Sequence, residues 1–418
     1  MKKTNVNLLL AAIAWLLMAF PALAQEAPRD DVTDELAIIG LEASPKLKRL
    51  KRREARKNGH SIIFVGTLAT GYDSNIYKGY ESVPGGTTDS ALFDAGVKVE
   101  GLFYATRKDR FKISLSSTNT PYTATQKVSS YEQELDFFYA HRSRDWGTTS
   151  LMAEIRHKND SATDAAGDTF TRDYESLIYR ARIGQRYKIS GNQIIKLSYA
   201  MKRKDYVETP GLVSLDWWRH GPRIQYWLDI GEDVRWEVAY EFRQQLYDEE
   251  PAGDNPGGDE TGNPPEVNFF HTAQTGVEWQ IVNDVIFEAG VRYRRKDDRF
   301  EGYESYSDYQ GEVAVTWVPT PPLNIEVGLK ISHRDYEGYP EYLGDPSTGQ
   351  LEYDRYRAGV LGRYEFSDHL AAYGAYAFDK RDSNRTCGLP PVGDPAFECN
   401  AFRSYTQHTL AAGVTVAY

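Results

Sequence analysis

Cysteine is almost missing from this 418-residue chain, with two residues in all, Cys387 and Cys399, and methionine is nearly as scarce at four. Two thiols with no histidine close to them in the sequence make a poor metal site, since structural zinc takes four Cys or His ligands. Both lie in one Pro/Gly-rich segment near the C-terminus, and in an exported chain the natural reading is a disulfide that closes this loop. Long apolar runs are also few. Beyond the N-terminus nothing approaches the roughly 20 consecutive apolar residues that a transmembrane helix needs. There is no Gly-x-Ser-x-Gly elbow, His-Glu-x-x-His, phosphate-binding glycine loop or Cys-x-x-Cys, so the common hydrolase, zincin, nucleotide-binding and redox signatures are missing. No catalytic residue, metal or cofactor is expected. Positive charge is in deficit, with 49 Lys and Arg against 60 Asp and Glu and a net charge of -11, which argues against nucleic acid as a partner.

What is present begins with an export signal. Met1-Lys2-Lys3, the apolar stretch from Leu8 to Phe20 and the small residues Ala22-Leu23-Ala24 predict a signal peptide over 1–24. Residues 25–60 form a polar leader that turns strongly basic from Lys46 to Lys57. Three readings of it stay open: a short helix against the inner leaflet, a plug touching acidic lumen residues, or a solvated periplasmic leader.

Residues 61–418 are repetitive. Sixteen apolar-alternating runs, the first near 62–77 and the last near 402–418, are separated alternately by short turns and long polar loops. Val234, Trp236, Val238, Tyr240 and Phe242 alternate with Arg235, Glu237, Glu241 and Arg243; Phe287, Ala289, Val291 and Tyr293 alternate with Glu288, Arg292 and Arg294. Leu323, Ile325, Val327, Leu329 and Ile331 alternate in the same way with Asn324, Glu326, Lys330 and Ser332. Charges at every second position cannot be buried in a soluble sandwich. The period of two with short and long connections predicts an all-β fold: a transmembrane, antiparallel, up-and-down β-barrel of about 16 strands, with both termini in the periplasm of a Gram-negative bacterium. Trp217, Trp218, Trp227, Trp236, Trp279 and Trp317, with many of the 29 tyrosines near run ends, suit interfacial girdles. The run near 213–229 is the least regular because it contains Pro222.

The predicted pore-lining charges are Lys196, Lys202, Arg235, Glu237, Glu241, Arg243, Glu288, Arg292, Arg294, Glu326, Lys330 and Arg334, which mix both signs. They hold the barrel's shape or set its selectivity. The acidic loop from Asp248 to Glu266 is rich in carboxylates but lacks EF-hand spacing, so it reads as a solvated loop. The eight histidines are dispersed.

The chain closes on Leu410, Val414, Val416 and Tyr418 on one face and Thr409, Gly413 and Thr415 on the other. A last strand ending in an aromatic resembles the signal read by the barrel assembly machinery, which makes Tyr418 an assembly signal. The first strand reads Gly71-Tyr72-Asp73-Ser74-Asn75-Ile76-Tyr77. This resembles the Gly-x-Asp-x-Asn-hydrophobic-aromatic opening of the β-barrel porin 2 family of Gram-negative outer-membrane proteins, over about 61–418. The resemblance implies an outer-membrane portal for exopolysaccharide, with lipid and periplasmic polysaccharide-export components as partners. It also implies inward-facing Asp73 and Asn75 bonded to the neighbouring strand's wall. The alternative is a general diffusion porin for small hydrophilic solutes, since barrels of 16 to 18 strands leave an aqueous channel.

Overall fold

The computed structural model describes residues 45–74, 89–121, 123, 130–144, 146–163, 169–207, 216–252, 262–300, 302, 304–340, 350–384 and 404–418. A helix, α1 (Pro45–Asn58), precedes sixteen strands. The first eight are β1 (His60–Asp73), β2 (Ser90–Tyr104), β3 (Asp109–Thr120), β4 (Ser130–Arg142), β5 (Thr148–Thr163), β6 (Thr169–Lys188), β7 (Gln193–Tyr206) and β8 (Trp217–Ile230). The second eight are β9 (Val234–Pro251), β10 (Pro265–Val282), β11 (Val285–Asp298), β12 (Tyr306–Thr320), β13 (Leu323–Pro340), β14 (Gln350–Glu365), β15 (Leu370–Ser383) and β16 (Tyr405–Ala417). Each pairs antiparallel with its sequence neighbours, and β1 pairs with β16, so the sheet is a closed up-and-down barrel. Closure satisfies the backbone of every strand and leaves no edge.

Sequence alternation becomes alternation of environment. On the outer face Phe64, Leu68, Val97, Ile183 and Val291 are more than half exposed. On the inner face of the same wall Asp73, Ser114, Glu154, Arg180, Asp308 and Asp379 are buried. An apolar outside of this extent is unsustainable in water. It is the surface of a barrel solvated by lipid hydrocarbon.

The basic segment between Lys46 and Lys57 is helical. Gly59, at φ 86°, ends the helix in the left-handed conformation that glycine adopts without strain. Its N–H donates to the Ala55 carbonyl at 2.8 Å, and its own carbonyl accepts from Tyr104 N at 2.7 Å. The helix thus packs on β1 and β2, with Ala55 buried and Arg52, Arg53, Arg56 and Lys57 exposed.

Pro222 does not interrupt β8. It faces Tyr199 of β7, while the ladder to β9 passes over Gly221 and Pro222 and resumes in the same register at Arg223 opposite Glu241. Proline has no N–H to give that ladder. Gly221 makes room for the close approach of β9, since a Cβ there would stand 2.0 Å from the Phe242 carbonyl oxygen.

The register is steeply sheared. From Arg110 near the turn end of β3, direct partners run through Ala140, Ser150, Gly184, Ser198 and Arg223 to Glu241. They continue through Thr272, Arg294, Asp308, Arg334 and Tyr353 to Ser383, at the loop end of β15. A hydrogen-bonded row therefore climbs about one residue per strand, as strands tilted by about 40° require.

Candidate functional site: the charged inner wall

Strand parity places all the predicted lumen charges of β7, β9, β11 and β13 on the inner face. Asp73 joins them: it is fully buried, and Gln407 Nε2 of neighbouring β16 donates to its carboxylate at 2.8 Å. Asn75, Cys387 and Cys399 lie outside the described residues, as do residues 253–261 of the acidic loop between Asp248 and Glu266. Tyr418 exchanges backbone hydrogen bonds with Phe64 at 2.8 Å in both directions. Its ring stacks on His369 at 5.2 Å.

The inner wall is organised by sign. On β4 to β6, Arg156 reaches Glu134 at 2.7 Å and Glu154 at 3.1 Å, and Arg180 reaches Glu154 at 2.5 Å. On β8 to β10, Glu237 accepts from Trp227 Nε1 at 2.7 Å and from Gln274 Nε2 at 3.2 Å. Glu241 pairs with Arg243 at 2.5 Å. Arg235 sits at the turn end, held by Asp229 at 2.7 Å. On β11 to β13, Asp308 takes Arg334 at 2.8 Å and lies 3.9 Å from Arg292, whose guanidinium also donates to Gln310. Glu288 faces Glu278 directly, and Glu312 and Glu326 also act on it, which makes a carboxylate patch on the turn-side half of β10 to β13. Lys330 stands between Glu312 and Arg357 in the register, and Lys196 between Arg186 and Gln225.

Towards the loop end the wall turns aromatic. Tyr306, Tyr336 and Leu351 are buried against one another, with Phe270 and Tyr353 packed on them. Arg334 lies over the rings of Tyr306 at 4.1 Å and Tyr353 at 5.3 Å, and Arg381 lies over Tyr405 at 4.9 Å. Beside this cluster Lys296 is wholly buried between Glu266 at 3.2 Å and Glu304 at 2.6 Å.

Several members of this wall escape a reading by alternation alone: Glu154, Arg156, Arg180, Arg219, Glu266 and Lys296. They occupy the inward positions of their strands, but His157, Glu175, Arg203 and Asp297 put polar groups on outward positions of the same wall. Where both faces are polar the period of two fades.

The histidines, scattered in sequence, are gathered by the fold. None faces inward. His60, His141 and His369 lie at the turn end. His157, His220, His271, His333 and His408 stand on the outer face near the loop end, at one level once the climb of the register is allowed for. Three of them repeat one contact, a tyrosine hydroxyl 2.8 Å from Nδ1: Tyr199 with His220, Tyr240 with His271 and Tyr376 with His408.

No protein-family model and no curated protein matches the chain, so the resemblance to the β-barrel porin 2 family rests on its opening-strand motif alone. Among solved structures the chain is similar to the outer membrane channel DcaP of Acinetobacter baumannii, at 11% identity over 87% of this chain and 98% of that one, with a TM-score of 0.46. It is similar also to an anion-selective porin from Comamonas acidovorans, at 12% identity over 86% of this chain and 100% of that one, with a TM-score of 0.44. A third is a bacterial polysaccharide outer membrane secretin, at 11% identity over 84% and 97%, with a TM-score of 0.40. Likeness at this distance carries no function to this chain.

Proposed function

We propose that this barrel is a channel of the Gram-negative outer membrane, and that it serves as the portal through which an envelope exopolysaccharide leaves the cell. A barrel of this strand number has an interior wide enough for an aqueous path. Its inner wall offers dense hydrogen-bonding groups of both signs, which suit a hydroxyl-rich chain. The observation that carries the export reading is the loop-end cluster of Tyr306, Tyr336 and Leu351, buried against one another on the inner face. Packing of that kind narrows the exit on the β12 to β14 side, and an exporter at rest must not leak small solutes. Periplasmic polysaccharide-export components are the partners this role requires. A general diffusion porin is the second reading, favoured by the strand number.

Deletion of the gene tests the proposal. A portal predicts loss of surface polymer with small-solute uptake nearly unchanged. Normal polymer on the surface, together with a large steady conductance of the purified barrel in a planar bilayer, would replace the portal by the porin.

A further inference from the structure

Cations on adjacent strands of the inner wall stand directly opposite one another. Arg180 of β6 faces Lys202 of β7, and Lys202 faces Arg219 of β8. Strands lie about 4.8 Å apart, and like charges placed directly opposite destabilise a sheet. Arg180 is compensated by Glu154 at 2.5 Å. Lys202 and Arg219 are not: among the described residues neither has a carboxylate within 4.0 Å.

Both are held over one ring instead, Lys202 Nζ at 4.7 Å and Arg219 Cζ at 4.7 Å from the centroid of Trp217. Arg219 also lies 4.8 Å from the Phe270 ring and donates to Gln245 Oε1 at 2.6 Å. Lys202 is 6% exposed, and the strongest charges acting on its ammonium are Arg180, Arg219, Lys204 and Arg156, all positive. Around Arg219 stand the favourable Tyr247 and Tyr306 hydroxyls, the like-charged Arg294, and Glu241, whose carboxylate is already committed to Arg243. Aromatic faces offset part of this charge, but a buried cation calls for a counter-anion. The chain as a whole is acidic at -11, so this concentration of positive charge is local.

We propose that Lys202 and Arg219 form an oxyanion-binding subsite in the lumen, occupied by the acidic groups of the transported polymer. A point-charge ammonium beside a guanidinium fork matches a carboxylate or a phosphodiester. The inference deepens the channel reading and rests on it for the ligand's role as cargo. The site itself stands on geometry alone.

The test is titration calorimetry on the purified full-length barrel in detergent at low salt, with oligogalacturonate, short-chain polyphosphate and a neutral dextran oligomer as probes. The wild type should bind one or both acidic probes and not dextran, and the tighter of the two identifies the acid group. K202Q/R219Q should weaken that binding by about tenfold or more, the loss of one to two charge-assisted contacts. K98Q/K112Q, which removes the same charge from inward positions of β2 and β3, should leave it within about twofold. Equal weakening by both double variants would mean that wall charge alone binds the anion, and an unaffected K202Q/R219Q would remove the site outright. The temperature at which the folded form disappears on a gel gives a second reading. A fall with probe binding unchanged would assign the two cations a purely structural role, and lost binding with the folded form retained would assign them the ligand. Loss of surface polymer on gene deletion bears on the portal reading and leaves this outcome independent.

Discussion

The ring of Tyr373 lies across Gly413, its direct partner on β16, and its hydroxyl comes within 3.4 Å of Thr67 Oγ1 on β1. One side chain thereby ties three strands together at the seam where the barrel closes. Thr67 in turn donates to the Val414 carbonyl at 3.1 Å. Gly413 permits this: a Cβ there would meet the Leu68 carbonyl oxygen at 2.6 Å and Tyr373 Cζ at 2.7 Å.

Gly413→Ala should therefore destabilise the barrel by about 1–3 kcal/mol, the usual cost of overpacking. Tyr373→Phe, which keeps the ring over the glycine, should cost about 1 kcal/mol or less. The unfolding midpoint in guanidinium, read from tryptophan fluorescence, orders the two. A Gly413→Ala barrel as stable as wild type would contradict the seam geometry.

Glu154 stands between Arg156 and Arg180, all three nearly inaccessible to solvent. Glu154→Gln takes from Arg180 its carboxylate partner at 2.5 Å, while Arg156 keeps Glu134 at 2.7 Å, and breaking a buried pair of this kind costs about 3–5 kcal/mol. Adding Arg180→Met should recover part of that loss. A double-mutant cycle with no coupling between the two positions would show that the contact contributes nothing.

Lys296 separates Glu266 from Glu304. In Lys296→Met the two carboxylates face each other without a cation, and protonation of either relieves the repulsion. The variant's stability deficit should consequently be largest near pH 8 and shrink as pH falls through the carboxyl range, because the folded state then binds more protons than the unfolded one. Midpoints measured from about pH 8 down to about pH 5 check the sign; a deficit independent of pH would locate the effect in packing.

With all eight histidines on the outer face or in turns, none lines the lumen. Replacing His157, His220, His271, His333 and His408 together by glutamine should leave the ion selectivity of the reconstituted barrel unchanged. Reversal potentials across a salt gradient, read from the brief openings of the barrel in a planar bilayer, are the measurement. A shift as large as that produced by Arg294→Glu would mean that the outer histidines reach the conducting path.

Strand number, the alternation of short turns and long loops, and the facing of residues such as Trp236 and Glu237 were written in the sequence alone. The period of a strand is local, so each run reports its own two faces whatever it pairs with. Pro222 makes its run the least regular in the sequence, which does not show which ladder its missing N–H belongs to. The partnerships were decided only by the tertiary structure. Asp73 and Gln407 are 334 positions apart, and Lys202 meets Arg219 because β7 and β8 settle into one register out of several that keep the same faces inward. Register is a property of two strands and the loop between them. The tilt of a closed barrel then shifts each row by about one residue per strand, which is how histidines dispersed along the chain come to share one level on its surface.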